Sequence, residues 1–152
     1  MAVLVNIIYR IDPKHENISR SRELKQITRW FVVLLAVMVQ LVIVLSGIGM
    51  EINVGSVISI PIALMFVAAG NYLPKCKQNY TMGIKLPWTL ADEDNWNRTH
   101  RLAGYVWTAG GILMLIMGFF HLAYLFFLVF MAMVLIPSVY SYLIYRKKLK
   151  GI

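Results

Sequence analysis

Long charge-free apolar runs separated by short charged ones set the pattern of this chain. Trp30 to Met50 runs 21 residues without a charged side chain, and Ile52 to Pro74 adds 23 more, with Glu51 alone between them. Leu102 to Tyr145 is a further 44 residues without Asp, Glu, Lys or Arg. A single helix of that length would reach about 66 Å at ~1.5 Å per residue, twice a hydrocarbon core of about 30 Å. The run must therefore fold back once. Gly118-Phe119-Phe120-His121 is the predicted turn, because it lies near the midpoint and combines a glycine with a strongly polar side chain. Four spans follow, at about 30–50, 54–74, 102–118 and 122–145. They are helices, since the runs show no polar/apolar alternation and a bilayer demands internal backbone hydrogen bonding.

Composition supports the same class. Hydrophobic residues make up 59% of the 152 positions and charged ones 14%, with mean hydropathy +0.67; a soluble domain carries roughly 25% charged residues. An intrinsically disordered chain is excluded, and the length leaves no room for a separate soluble domain. The 15 basic residues, which give a net charge of +8, fall on one side of this topology. Arg10, Lys14, Arg20, Arg22, Lys25 and Arg29 precede span one, and Lys75, Lys77, Lys85, Arg98 and Arg101 lie between spans two and three. Arg146, Lys147, Lys148 and Lys150 follow span four. The positive-inside rule then places both termini and the central loop in the cytoplasm. Basic residues at membrane ends meet anionic lipid, so nucleic acid need not be invoked.

The expected organisation is a cytoplasmic or interfacial segment 1–29, spans one and two in 30–74, a cytoplasmic loop 75–101, spans three and four in 102–145, and a basic tail 146–152. Ala2 to Tyr9 is apolar but too short to span, and it lacks the basic n-region and cleavage site of a signal peptide. It reads as the cytoplasmic end of a helix beginning further upstream, as in a shortened form or fragment, with an interfacial segment as the alternative. From Ile18 the pattern turns helical, with Glu16 and Arg20 spaced as an i,i+4 pair and Leu24, Ile27 and Phe31 on one stripe.

The 27 residues from Lys75 to Arg101 exceed what a connection needs, and long ordered loops are usually functional. This one carries Tyr80, Trp88 and Trp96, with Gly83 and Pro87 as turn formers. Thr89 is the expected N-cap of a helix with Asp92, Glu93 and Asp94 in its first turn, running through Arg101 into span three. Asp94 and Arg98 are spaced as an ion pair. Trp96, His100, Gly104 and Trp107 share a stripe that would bring the imidazole between two indoles. Cys76 sits between two lysines that would favour its thiolate, although a replaceable loop thiol is the simpler reading. As the one cysteine it excludes an internal disulfide or a Cys-cluster metal site.

Gly70-Asn71-Tyr72-Leu73-Pro74-Lys75, Asn79-Tyr80, Gly83-Ile84-Lys85, Pro87-Trp88-Thr89-Leu90, Trp96, Thr99-His100-Arg101 and Gly104 together resemble the signature of the SdpI family. These are bacterial multi-spanning membrane proteins of the immunity type. The match is dense over about 70–110, and Asp12-Pro13 and Asn17 upstream are also family-like. Longer members carry further spans before the Asp-Pro segment, so the resemblance implies a short form without them. It implies immunity to a secreted killing peptide, or sequestration of a cytoplasmic regulator. Within these motifs Tyr80, Trp88, Trp96, His100 and Arg101 are the expected functional residues.

The remaining chemistry is sparse. His100, with Glu93 seven residues earlier on roughly the same face, is a proton-accepting or binding residue on one reading and a backbone-bonded fixture of the loop on the other. His100 and His121 are 21 residues apart, about 31 Å along a helix, which excludes haem bridging within one subunit; His15 lies in a charged, solvated segment. Arg98 and Arg101 suit a peptide, a lipid phosphate or a carboxylate, or snorkelling beside Asp94. Trp107, Tyr140, Tyr142 and Tyr145 fit an aromatic belt, and Glu51 an exposed turn. Gln40 is the one amide near a span's middle, Ser56 and Ser59 lie toward the outer half of span two, and no span holds an ionisable residue between its ends, which disfavours a pump or transporter. Pro61 and Pro137 would kink their helices. Gly104, Thr108 and Gly111 form a small-residue face. Asp92, Glu93 and Asp94 point around a helix rather than pairing, and no Ser/His/Asp set, P-loop or zinc motif occurs.

The sequence therefore predicts an all-α, integral-membrane four-helix bundle with both termini cytoplasmic and a structured loop between spans two and three. It is expected to be non-enzymatic and cofactor-free, an immunity protein of the bacterial cytoplasmic membrane. Its expected partners are the lipid bilayer and a toxin peptide. A scaffold for a cytoplasmic regulator is the alternative, and a small-solute or lipid transporter ranks last.

Overall fold

The computed structural model describes residues 22–151. The Ala2–Tyr9 stretch, Asp12-Pro13, His15, Asn17 and the Glu16–Arg20 pair lie outside them. Four long helices run in order: α1 (Arg22–Gly47), α2 (Val54–Tyr72), α4 (Glu93–Phe119) and α5 (Ala123–Leu149). A 3₁₀ turn at Leu73–Lys75 and the one-and-a-half-turn α3 (Pro87–Ala91) lie between α2 and α4. No strand occurs among the described residues. All four long helices are long and apolar enough to cross a membrane.

The 44-residue run folds back where the pattern requires it. α4 ends at Phe119, and the peptide groups that follow close onto its last carbonyls, with Leu122 N–H bonded to Met117 O at 2.9 Å. His121 takes the left-handed conformation (φ 58°), which histidine tolerates better than branched residues do. Asn53 Nδ2 lies 3.3 Å from His121 Nδ1, which ties this turn to the one joining α1 and α2. An apolar pocket of about 440 Å³ opens beside the tie, between α2, α4 and α5.

Both α4 and α5 are 27 residues long, about 40 Å at ~1.5 Å per residue, longer than the expected spans of 102–118 and 122–145. Charged residues at the ends do not stop these helices. α4 begins inside the loop at Glu93, and α5 continues through Arg146, Lys147 and Lys148, whose side chains are exposed while the backbone ladder continues.

Close backbone approach joins α2 to α4. A Cβ on Gly70 would stand 2.6 Å from Thr108 N, and one on Gly111 would stand 2.8 Å from Val67 N. One on Gly104 would meet Pro74 Cγ at 2.5 Å and Gly70 O at 2.9 Å. Small residues carry such contacts in membranes because lipid offers no hydrophobic drive for helix association, so van der Waals fit must supply it. Replacing Gly104 with alanine is expected to push the helices apart and cost about 1–3 kcal/mol. Thermal melting of the purified chain in detergent checks this, and an unchanged midpoint would contradict the crossing.

Between α2, α4 and α5 the core consists of Ala63, Phe66, Met114 and Met133. Phe66 meets the rings of Trp107 and Phe130 edge-on, at 5.1 and 5.8 Å between centroids. Pro137 lies inside α5 and has no N–H for the carbonyl four residues before it, that of Met133. Trp107 Nε1 donates to that carbonyl at 3.0 Å, so an indole from α4 replaces the bond that proline removes. α1 leans on α2 and buries Val42, while Trp30, Val33, Leu34, Val37, Leu41 and Val44 remain exposed. A helix apolar nearly all round suits lipid rather than water.

Candidate functional site

The loop between α2 and α4 is folded onto the basic end of the bundle and held by buried polar groups. His100 is its hub. The ring is 1% exposed; Nε2 accepts the Ile84 N–H at 3.0 Å, and Nδ1 lies 2.8 Å from Trp96 O, to which it donates. One nitrogen accepting and the other donating defines the neutral Nδ1–H tautomer. The imidazole stacks on the Trp96 indole with 4.0 Å between centroids and 19° between planes. Trp96, itself fully buried, donates from Nε1 to Cys76 O at 2.8 Å. Cys76, Met82 and Trp96 form a small core under Tyr72 and Leu90. The Cys76 thiol is buried in this core, which fits neither the replaceable loop thiol expected of it nor the lysine-favoured thiolate weighed beside that reading.

Gly83 passes over this stack with φ 100°, and a Cβ there would collide with His100 Nε2 and approach the Trp96 ring to 3.1 Å. Buried Asn79 organises the turn before it. Its Oδ1 accepts the N–H groups of Thr81 and Met82 at 2.9 and 2.6 Å, and its Nδ2 donates to Lys77 O at 2.8 Å. Gln78 Nε2 donates to the carbonyls of Thr89 and Leu90 at 2.8 and 2.9 Å, closing the C-terminal end of α3.

Two expectations are corrected here. Thr89 is not an N-cap: α3 begins at Pro87 behind Leu86, and Thr89 Oγ1, inside the helix, accepts the Leu86 N–H at 2.9 Å. The chain then breaks at Asp92 (φ −138°, ψ 111°), whose carboxylate accepts the Asp94 N–H at 3.1 Å and caps α4. Asp92 outcompetes Thr89 because the favoured Pro at the first helical position sets α3 one turn earlier. The imidazole also has one indole neighbour rather than two. Trp107, two helical turns on, is drawn to Phe66 and the Met133 carbonyl instead.

A second polar chain ties the loop to α5. Trp88 Nε1 donates to Ser141 Oγ at 2.8 Å, and Ser141 Oγ donates to Asn95 Oδ1 at 3.0 Å. Asn95 Nδ2 returns a bond to Ser141 O at 3.1 Å, and Thr99 Oγ1 adds one to Asn95 Oδ1 at 3.0 Å. Trp88 also stacks on Tyr145 (5.8 Å, 23°) and meets Tyr142 edge-on. Nearer solvent, Lys148 Nζ reaches Asp92 at 2.7 Å and Asp94 at 3.0 Å, while Arg98 Nε pairs with Asp94 at 3.0 Å as its spacing predicted. The Lys148 ammonium holds the Asp92 carboxyl below the ordinary carboxylate range. No buried side-chain nitrogen or oxygen among the described residues lacks a partner.

The residues singled out from sequence thus divide in two. Asn79, Thr89, Trp96, Thr99, His100 and Gly104 are interior. Asn71, Lys75, Tyr80, Gly83, Pro87, Glu93 and Arg101 are exposed, with Tyr72 and Trp88 half-buried between the sets. Glu93 is at the surface and the imidazole is not, so their shared face does not join them. Lys75 Nζ lies 5.0 Å above the Tyr72 ring. Gln78, Asn95, Ser141 and Lys148 were not singled out. Asn95 and Thr99 carried a usable i,i+4 signal; a single serine late in an apolar span carried none. Among the described residues no group of His, Cys, Asp and Glu is arranged to hold a metal ion.

Four long apolar helices with glycine-mediated crossings, closed at one end by a polar-locked loop, define a multi-pass α-helical membrane protein. The loop, α4 and most of α5 lie in residues 75–141, and this segment matches the SdpI/YfhL protein family. Over 121 residues it is 31% identical to the Immunity protein SdpI of Bacillus subtilis (strain 168). That alignment covers 78% of this chain and 58% of the relative, so the chain spans less than two thirds of that protein's length. No solved structure matches.

Proposed function

We propose that the chain is a non-enzymatic immunity protein of the bacterial cytoplasmic membrane, protecting the cell from a secreted, membrane-active killing peptide. The observation that carries this is the 31% identity to an immunity protein across 121 residues, which extends well beyond the loop into the spans. Both termini and the folded loop face the cytoplasm, a placement supported by the clustering of the basic residues. Trp96, His100, Asn79, Thr89, Thr99, Gly83 and Gly104 act as positioning residues that fix the platform. Asn71, Tyr72, Lys75, Tyr80, Pro87, Trp88, Glu93 and Arg101 supply the face it presents. Protection comes from binding the peptide or blocking its action in the bilayer.

The test is peptide-induced depolarisation of a sensitive bacterium expressing the chain, with membrane insertion verified first. Cells carrying the chain should hold their potential at peptide doses that collapse it in empty-vector cells. Equal collapse at normal membrane levels would overturn the assignment. The second reading, a scaffold that sequesters a cytoplasmic regulator, is favoured by the exposure of Lys77, Tyr80 and Lys85 on the loop. A soluble regulator retained stoichiometrically by the tagged chain, with depolarisation unaffected, would move the assignment there.

A further inference from the structure

We propose that the groove between the basic ends of α4 and α5 is a binding site for the phosphate headgroup of an anionic phospholipid. Two adjoining hollows of about 610 and 680 Å³ share Asp94, Arg98 and Tyr140 and form this groove. Arg98 and Arg101 stand on the α4 wall, with Arg146, Lys147 and Lys150 on the α5 side. The one carboxylate lining both hollows, Asp94, is already paired with Arg98 and Lys148, and Lys148 is also committed to Asp92. The groove therefore retains a cationic excess of several charges. Among the described residues Arg98 meets Asp94 through Nε, which leaves the outer edge of the guanidinium fork for an oxyanion. That fork matches phosphate geometry better than a point charge does.

The lower wall decides between a lipid and a soluble phosphate. Leu102, Tyr105 and Leu143 continue the groove from the charged ends into the apolar part of the helices. Tyr105 is 72% exposed there, at the depth where amphipathic rings mark the headgroup boundary. An occupant must carry a phosphate at one end and hydrocarbon at the other, and meet the chain from the side at that boundary. A phospholipid does all three, and basic pockets between spanning helices hold anionic headgroups for this reason. A soluble phosphate would leave the apolar wall unused.

Native mass spectrometry of the full chain released from nanodiscs of mixed phosphatidylglycerol and phosphatidylcholine tests the site. Phosphatidylglycerol should be retained preferentially, and R101Q/K147Q should weaken that retention on the order of tenfold. K77Q/K85Q removes the same charge from the loop outside the groove and should retain the lipid as the unmodified chain does. The charge-preserving R101K/K147R should keep most of the preference, which separates loss of the site from loss of the fold. Equal retention of the two lipids, or equal weakening by the two glutamine pairs, would overturn a defined site in favour of diffuse attraction. Glycerol 3-phosphate at millimolar concentration should displace nothing; displacement would assign the groove to a soluble phosphate and overturn the lipid.

Discussion

Replacing Trp96 with alanine is expected to unlock the platform and to cost about 3–5 kcal/mol, the range for deleting a large buried aromatic. The indole is wholly buried, covers the His100 ring at 4.0 Å, and donates to the Cys76 carbonyl. Its loss leaves a cavity, a bare carbonyl and an imidazole with no surface to lie on. Trp96→Phe keeps most of the stacked area but not the Nε1 bond, so it should fall between the alanine variant and the unmodified chain. Thermal melting in detergent reads the stability loss. Depolarisation protection at matched membrane levels reads the functional one, which should be complete for Trp96→Ala. A Trp96→Ala protein that melts normally and still protects would contradict the positioning role of the stack.

Gly83→Ala carries the other large effect, although it adds only a methyl group. At φ 100° an alanine is strained by about 1–3 kcal/mol. The new Cβ would also run into His100 Nε2, the atom that accepts the Ile84 N–H, and overpacking of this kind adds about 1–3 kcal/mol. The neighbour that must yield is a ring fixed at both nitrogens and stacked on one face, so it has nowhere to turn. Gly83→Ala should therefore lower the melting midpoint more than Gly104→Ala does. If Gly83→Ala melts with the unmodified chain, the loop does not cross the imidazole as described.

Much of this architecture is legible in the sequence. Spans and fold-back follow from where charges are absent, because moving an ionised group into hydrocarbon is costly enough to dominate every weaker preference. The Trp96–His100 and Asp94–Arg98 neighbours follow from four-residue spacing on a helix. What escaped depends on the path of the loop. The Ile84 amide reaches an imidazole 16 residues away, and no local rule predicts that pairing. The helix start is ambiguous in the sequence because Thr89 and Asp92 are both good caps, and Pro87, by opening α3 a turn earlier, leaves Asp92 to cap α4. Trp107 left the expected stripe because Pro137 frees a carbonyl on a neighbouring helix. Ser141 and Asn95 are small polar residues that join two elements 46 positions apart, and neither perturbs the periodicity around it.

That residues 75–101 form a fixed platform is tested most directly by the reactivity of Cys76. It is the one cysteine in the chain, it lies 3% exposed under Trp96 and Met82, and no substitution is needed to use it. In a membrane-reconstituted sample a maleimide should label it far more slowly than a free thiol, and fully once the chain is unfolded in a denaturing detergent. Labelling of the folded protein at the free-thiol rate would mean that the stack of Trp96 and His100 does not hold the loop closed.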